Sequence, residues 1–212
     1  QVKVIRASSI GHPCCRKIWY DMMGIEEDFS NQTLFTFDIG TALEPVAVKY
    51  LRLDNWEVKY NEGSQEAEIL TVVPVNENVR IEGHHDLIMR YNEGDWYMVD
   101  VKTMNSYAYK TWRKEGTLRK YPQYADQLHI YMAGEYARQH LISKGAVVAI
   151  NKDKVEFPLP IDAFDFDMDR LESLKVKAAY IAEHDSEPPL DEDIPSWACT
   201  YCGHKGMRCE GI

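Results

Sequence analysis

The five cysteines of this chain lie only near its two ends, and this placement constrains the fold more than any other feature. Cys14 and Cys15 are adjacent near the start. A C-x2-C-x6-C group near the end consists of Cys199, Cys202 and Cys209. One N-terminal cysteine would complete a set of four thiolates, which suits either a tetrahedral zinc ion or a [4Fe–4S] cluster. The spacing therefore predicts that the two ends meet in a small cysteine-ligated cap.

Two other interpretations of the cysteines stay open at this point. A histidine lies within the C-terminal group, and the alternative to a cluster is zinc held by Cys199, Cys202, His204 and Cys209. Unligated, buried thiols are the third possibility. A disulfide framework is not expected, because no secretory signal opens the chain.

The charge of the chain is unevenly distributed. Its 212 residues include 34 acidic and 24 basic side chains, and the net charge of −10 argues against a protein that coats nucleic acid by bulk positive charge. The window from Lys102 to Lys120 has six basic residues and one acidic residue, a local charge of +5 that leaves −15 elsewhere. We expect this window to attract phosphates. Its candidate contacts are Arg113, Lys114, Arg119 and Lys120.

Hydrophobic periodicity predicts an α/β fold with a mixed central sheet flanked by helices. The expected helices are Gly40–Leu53, Tyr121–Leu141 and Asp167–His184. The expected strands are Trp56–Tyr60, Ala67–Val75, Val79–Met89, Trp96–Lys102, Ala146–Ile150 and Lys154–Phe157, with hairpin turns at 92–95 and 151–153. We expect one domain over residues 1–212, with a core at about 36–184 and a cap from 1–35 and 185–212. The apolar runs are too short to cross a bilayer, so we expect a cytoplasmic protein with no membrane partner.

Acidic residues on the expected hairpin predict a site for a divalent metal ion. Asp100 and Lys102 are two residues apart on a strand and therefore share a face. The hairpin returns Asp100 beside Asp86, and two neighbouring carboxylates repel unless a cation lies between them. Mg²⁺ and Mn²⁺ prefer such oxygen ligands. Glu44, four residues after Gly40 on the first expected helix, supplies a third carboxylate.

A face of the long expected helix is suited to nucleic acid. Gln123, Gln127 and Tyr131 follow one another at four-residue spacing. Their amides and phenol can hydrogen-bond sugar and phosphate, and an aromatic ring can stack on a base. The alternative is that Tyr131 belongs to the core and that the glutamines are merely exposed.

These motifs, taken in order, resemble the RecB-type nucleases of the PD-(D/E)XK superfamily, and most closely the iron–sulfur nucleases of CRISPR adaptation and their phage relatives. The resemblance implies a restriction-endonuclease-like core and a metal-dependent DNA exonuclease. It implies that Mg²⁺ or Mn²⁺ is held by Glu44, Asp86, Asp100 and the carbonyl of Val101. Lys102 would then assist the attacking water, while Gln127 and Tyr131 contact the DNA. Many relatives have a histidine where Glu44 stands.

The same resemblance implies how the cysteines are used. The N-terminal segment resembles a cysteine, any residue, Arg, Lys pattern, which favours Cys14 over Cys15 as a ligand. The implied [4Fe–4S] ligands are Cys14, Cys199, Cys202 and Cys209. Arg16 and Lys17 would extend the surface that holds the strand. We expect single-stranded DNA as the preferred substrate and a partner protein of recombination, repair or CRISPR adaptation. The alternative function is a zinc-stapled, catalytically silent DNA-binding or assembly subunit.

Overall fold

Strands and helices alternate along the computed structural model, which describes residues 2–60, 69–85, 87–191, 193–200 and 202–210. The strands are β1 (Lys3–Arg6), β2 (Trp56–Tyr60), β3 (Ile69–Asn76), β4 (Val79–His85), β5 (Leu87–Tyr91), β6 (Tyr97–Met104), β7 (Lys144–Asn151) and β8 (Ile161–Asp165). The helices are α1 (Ala7–Ile10), α2 (Cys15–Met22), α3 (Asn31–Leu53), α4 (Ser106–Glu115), α5 (Thr117–Lys120), α6 (Pro122–Ala133), α7 (Glu135–Gln139), α8 (Met168–Glu183) and α9 (Ser196–Thr200). No helix of the described residues combines the length and the apolar character that a bilayer crossing requires.

The strands form two sheets. A five-stranded sheet has the order β2-β5-β6-β7-β8, and a three-stranded sheet has the order β1-β4-β3. The pair β6–β7 is parallel, whereas the other pairs of the larger sheet are antiparallel. Helices α4 to α7 provide the crossover that a parallel pair needs. The expected mixed sheet with flanking helices is confirmed.

The expected strand Val79–Met89 is wrong as a single element. The structure has β4 and β5 on either side of residue 86, and the two strands lie in different sheets. Asp86 itself lies outside the described residues. The hairpin that follows is as expected, because β5 and β6 are antiparallel with Leu87 opposite Val99.

The expected helix Tyr121–Leu141 is interrupted at Gly134. A Cβ atom there would lie 2.7 Å from Cγ2 of Thr71 on β3, so the chain approaches that strand too closely for a side chain. Gly134 adopts an extended conformation with ψ of 163°, and α7 starts again after it. A contact with a distant strand therefore overrides the local helical pattern.

Two further expectations are corrected. The strand that returns beside β7 is Ile161–Asp165 rather than Lys154–Phe157. Pro158 and Pro160 have no amide hydrogen, so pairing resumes only beyond them. Helix α3 begins at Asn31 rather than near Gly40, because the Ser30 hydroxyl accepts a hydrogen bond from the backbone N–H of Thr33.

The N-terminal segment belongs largely to the main core rather than to a separate cap. Strand β1 pairs in parallel with β4. The buried side chains that this segment adds to the core include Ile5, Ala7, Ile10, Cys15, Ile18, Trp19 and Tyr20. A smaller cluster joins Cys14 to the C-terminal segment through Ile194, Ala198 and Cys199. The N-terminal segment thus makes most of its buried contacts with the main core, and Cys14 makes its contacts with the C-terminal segment.

Candidate active site

Strand β6 presents Asp100 and Lys102 from the interior of the larger sheet. It lies between β5 and β7, and Asp100 stands opposite Val147 of β7. Because only Val101 separates them on a strand, the two side chains leave the same face. Lys102 Nζ lies 2.9 Å from Asp100 Oδ2. The hairpin and the parallel neighbour together hold this ion pair on a rigid element.

Burial dominates the electrostatics of the pair. The side chain of Asp100 is 7% exposed, and burial raises the pKa of its carboxyl although the Lys102 charge opposes the shift. Burial is the largest single influence and would lower the pKa of Lys102, but the charge and hydrogen bond of Asp100, together with the phenols of Tyr124 and Tyr131, outweigh it, and the net pKa lies above the usual lysine value. Lys102 is therefore a protonated ammonium at neutral pH.

The carboxylate of Asp100 fits the requirements of a metal ligand. Its Oδ2 atom is buried and, within the described part of the chain, has the Lys102 ammonium beside it and accepts no hydrogen bond from any other group. A buried carboxylate oxygen with unused lone pairs is what a hard divalent ion binds. Val101, whose carbonyl is an expected ligand, is half-buried between the two charged residues.

Helix α3 passes over the same strand. A Cβ atom on Gly40 would lie 3.8 Å from the Thr103 hydroxyl, an ordinary van der Waals distance. Glu44 is half-buried one turn further along the same face of the helix. The structure thus brings the helix that has Glu44 to the strand that has Asp100 and Lys102.

Helix α6 contributes Gln127 and Tyr131 beside this site. Gln127 Nε2 donates a hydrogen bond to Tyr131 Oη at 3.1 Å. The Tyr131 ring is 6% exposed and packs over Gly83, where a Cβ atom would lie 2.9 Å from Cε1 of the ring. Tyr131 and Gly83 also line a cleft of about 440 Å³ with Arg6. Tyr131 was expected either to contact DNA or to belong to the core. Its ring is buried in the core, and the residue also lines a cleft.

The remaining expected DNA contacts lie in different environments. Gln123 is half-buried where α1 meets α6, since a Cβ atom on Gly11 would lie 2.7 Å from its Cα atom. Arg113, Lys114 and Arg119 are exposed on α4 and α5, and Lys120 is half-buried. Arg119 Nε is 4.0 Å from Glu115 Oε2, a contact that solvent screens strongly.

Tyr124 is a residue of this site that the sequence pattern did not single out. Lys102 Nζ lies 4.8 Å from the centre of its ring. Tyr124 lies three residues before Gln127 and therefore on the same side of the helix. This spacing is the feature of the sequence from which Tyr124 could have been predicted as a site residue. The contact with Lys102 comes from the packing of α6 against β6, which periodicity does not reveal.

The structure gathers four of the five cysteines around one cavity. The thiols of Cys14, Cys199, Cys202 and Cys209 line it, together with Tyr20 and Ala198. Cys15 instead packs into the main core, and burial beside Asp191 raises the pKa of its thiol to about 11. Burial also raises the pKa of Cys14 and of Cys202. Only the thiolate form binds a metal, so a bound metal would have to offset this effect of burial.

His204 packs against Tyr20 and lies beside Asp21. Its ring packs against Tyr20 at 4.5 Å between centroids, and its Nε2 atom lies 3.9 Å from Asp21 Oδ1. It is not among the residues that line the cysteine cavity. This arrangement disfavours the zinc set that included His204.

Arg16 and Lys17 have partners within the chain. Arg16 Nε donates a hydrogen bond to the carbonyl of Pro188 at 2.8 Å, and its Nη1 atom lies 3.9 Å from Cys209 Sγ. Lys17 Nζ forms ion pairs with Asp21 at 3.2 Å and with Glu27 at 2.8 Å. Both side chains therefore join segments of this protein to one another.

Sequence comparison identifies the family to which this geometry belongs. Residues 26–209 match the PD-(D/E)XK nuclease superfamily. The chain belongs to this superfamily. As a PD-(D/E)XK nuclease it has the restriction-endonuclease-like α/β core, and its activity class is that of a metal-dependent nuclease. No curated protein matches the chain.

Solved structures show the same PD-(D/E)XK fold at low sequence identity. The crystal structure of SSO0001 is 17% identical with a TM-score of 0.60, and the match covers 100% of this chain and 88% of that one. The alkaline exonuclease LHK-Exo from Laribacter hongkongensis is 14% identical with a TM-score of 0.56, over 84% of this chain and 85% of that one. The structure of LHK-Exo in complex with dAMP is 15% identical with a TM-score of 0.57, and this match also covers 84% of this chain and 85% of that one.

Proposed function

We propose that this nuclease is a Mg²⁺- or Mn²⁺-dependent DNA exonuclease that prefers single strands. The observation that carries the proposal is the buried Asp100–Lys102 pair on β6, in a chain whose superfamily hydrolyses nucleic acids with divalent metals. LHK-Exo, which shares the fold, was crystallised with dAMP. A nucleoside monophosphate is the product that an exonuclease releases from DNA.

The residues of the site have distinct roles in this proposal. Asp100, Asp86, Glu44 and the carbonyl of Val101 would hold the ion. When bound, the ion polarises the phosphodiester and lowers the pKa of a water molecule. Lys102 is protonated at neutral pH, so it acts as a hydrogen-bond donor rather than as a general base. Its ammonium, 2.9 Å from Asp100, orients the attacking water and stabilises the negative charge that develops on the phosphate.

We also propose that Cys14, Cys199, Cys202 and Cys209 hold a [4Fe–4S] cluster. Their common cavity supports the assignment, as does the position of Cys15 in the main core. A cluster there ties the first helices to the last segment of the chain. This set of ligands is the reason to propose a relationship to the iron–sulfur nucleases of CRISPR adaptation and their phage relatives. A partner protein from such a pathway, or from recombination or repair, belongs to the same proposal.

The test is anaerobic cleavage of end-labelled linear and closed circular single-stranded DNA with Mn²⁺. Asp100→Ala should abolish cleavage, whereas Asp165→Ala, an exposed aspartate on β8, is the matched control and should not. Loss of the linear substrate alone supports an exonuclease. Cleavage of the circle shows an endonuclease, and DNA binding without any cleavage shows the silent subunit; either result overturns the proposal.

A further inference from the structure

We propose that Tyr107 and Tyr121, whose ring is backed by that of Tyr124, form an aromatic track on which the unpaired bases of a single strand stack as it leaves Lys102. The inference rests on the proposed function, because it names the feature that makes the site prefer single-stranded DNA. The ligand class is a run of unpaired nucleobases joined by phosphates.

The rings of Tyr124 and Tyr121 lead outward from the ion pair. Lys102 Nζ lies 4.8 Å from the centre of the Tyr124 ring, so the ammonium covers that ring. The ring of Tyr121 stacks on that of Tyr124, with centroids 5.3 Å apart and planes 27° apart. Tyr107 follows at the start of α4, where it is 80% exposed. Burial raises the pKa of Tyr121, and the nearby phenols of Tyr124 and Tyr107 add to the shift, as expected if the three lie close together.

Two basic side chains lie on the same face of α4 as Tyr107, at the outer end of the track. Lys110 and Lys114 follow Tyr107 by three and seven residues, which places all three on one face of α4. Trp112 and Tyr109 are buried on the opposite face, so the face with Tyr107 and the lysines points outward. An exposed ring beside two ammonium groups is the combination that holds a flexible strand, because the ring takes a base and the cations take its phosphates.

Stacking also explains selectivity. Paired bases in a duplex expose their edges in the grooves, but their faces are covered by neighbouring base pairs. A ring such as that of Tyr107 can therefore stack only on a base that has left the duplex. The exposed lysines attract either form of DNA, whereas the tyrosines discriminate between them.

The experiment compares Tyr107→Ala and Tyr121→Ala with Tyr107→Phe and Tyr121→Phe. Tyr180→Ala, which removes a 41% exposed tyrosine of α8, is the matched control. Dissociation constants are measured for a labelled single strand and for a hairpin duplex, with Ca²⁺ in place of Mg²⁺ to suppress cleavage. A single strand with 2-aminopurine reports stacking directly, because its fluorescence is quenched on an aromatic ring. Cleavage by the unsubstituted protein is measured separately with Mn²⁺.

Each alanine variant should bind the single strand about tenfold more weakly and lose the quenching, with little change for the duplex. The phenylalanine variants and Tyr180→Ala should behave as the unsubstituted protein, since a ring is enough for stacking. Unchanged single-strand affinity in both alanine variants, or no binding of a single strand at all, overturns the track. If the protein cleaves DNA in that case, the proposed nuclease stands without it. If the alanine variants lose affinity but the protein cleaves nothing, the track stands and the nuclease proposal fails.

Discussion

Lys102 Nζ and Asp100 Oδ2 lie 2.9 Å apart on the same face of the middle strand of the larger sheet. The pair has two consequences that experiments can separate. The ammonium stabilises the ionised form of a buried carboxylate, and it also supplies a donor for the reaction. The stability and the activity of variants at this position therefore report on different properties.

Substitution of Lys102 by glutamine should lower both quantities. Cleavage should fall by at least about 100-fold, because the developing charge loses its donor. The free energy of unfolding should fall by about 3 kcal/mol, because Asp100 remains buried without its counter-charge. Urea unfolding and single-turnover cleavage measure the two effects. Lys102→Arg keeps the charge and should recover most of the stability; an equal loss of stability in both variants would contradict the argument.

The metal requirement should depend on pH in a defined direction. Burial raises the pKa of Asp100, and only the deprotonated carboxylate binds a metal ion. The Mn²⁺ concentration for half-maximal cleavage should therefore rise as the pH falls from neutral, starting at higher pH than for an ordinary aspartate. The same raised pKa means that the protonated carboxyl contributes stability at acidic pH, and this contribution is lost as the pH rises through the pKa. A metal requirement that is constant across this range would contradict the assignment of Asp100.

Two glycines should respond to alanine in opposite ways. Gly83→Ala places a Cβ atom 2.8 Å from Cβ of Ala7 and 2.9 Å from the Tyr131 ring, so we expect a loss of about 1–3 kcal/mol. Gly40→Ala meets its nearest atom at 3.8 Å within a helix, so we expect a gain of up to about 1 kcal/mol. Thermal unfolding of the two variants measures the difference. Equal effects would show that the packing of Tyr131 over β4 is not as described.

The two adjacent cysteines should differ when each is replaced by serine. Cys14→Ser should lose the bound iron and the visible absorbance of a cluster, because Cys14 lines the cavity with the other three thiols. Cys15→Ser should keep both, because its thiol lies in the main core. Iron content and absorbance of protein purified without oxygen measure the result. His204→Gln separates the alternatives further, since a zinc site with His204 would lose its metal and the proposed cluster would not.

The local pattern of apolar residues and turn residues was enough to predict several elements near the site. Strand Trp56–Tyr60 and the turn at 92–95 follow from alternation and from turn residues, and they hold in the structure. The placement of Asp100 and Lys102 on one face follows from the period of a strand. These features depend on neighbours in sequence, so a single sequence contains the information.

Other features depend on contacts between distant segments and could not be predicted in this way. Gly134 ends α6 because Thr71 lies against it, and Tyr124 reaches Lys102 because α6 packs on β6. The division of Val79–Met89 between two sheets has no local signal in its apolar pattern. Lys17 was expected to extend the surface that holds the strand, yet its ammonium forms ion pairs with Asp21 and Glu27.

The hydrogen bonds that join the two ends have a consequence for biosynthesis. The backbone N–H of Cys15 donates to Asp191, Arg16 donates to Pro188, and the Trp19 indole donates to the carbonyl of His184. Their partners are 165 to 176 residues apart in sequence, so the ribosome must release both segments and everything between them before any of these bonds can form. The larger sheet can assemble while translation continues. The cysteine cavity therefore closes only after the strands of the larger sheet have been synthesised, and any cluster is inserted after that point.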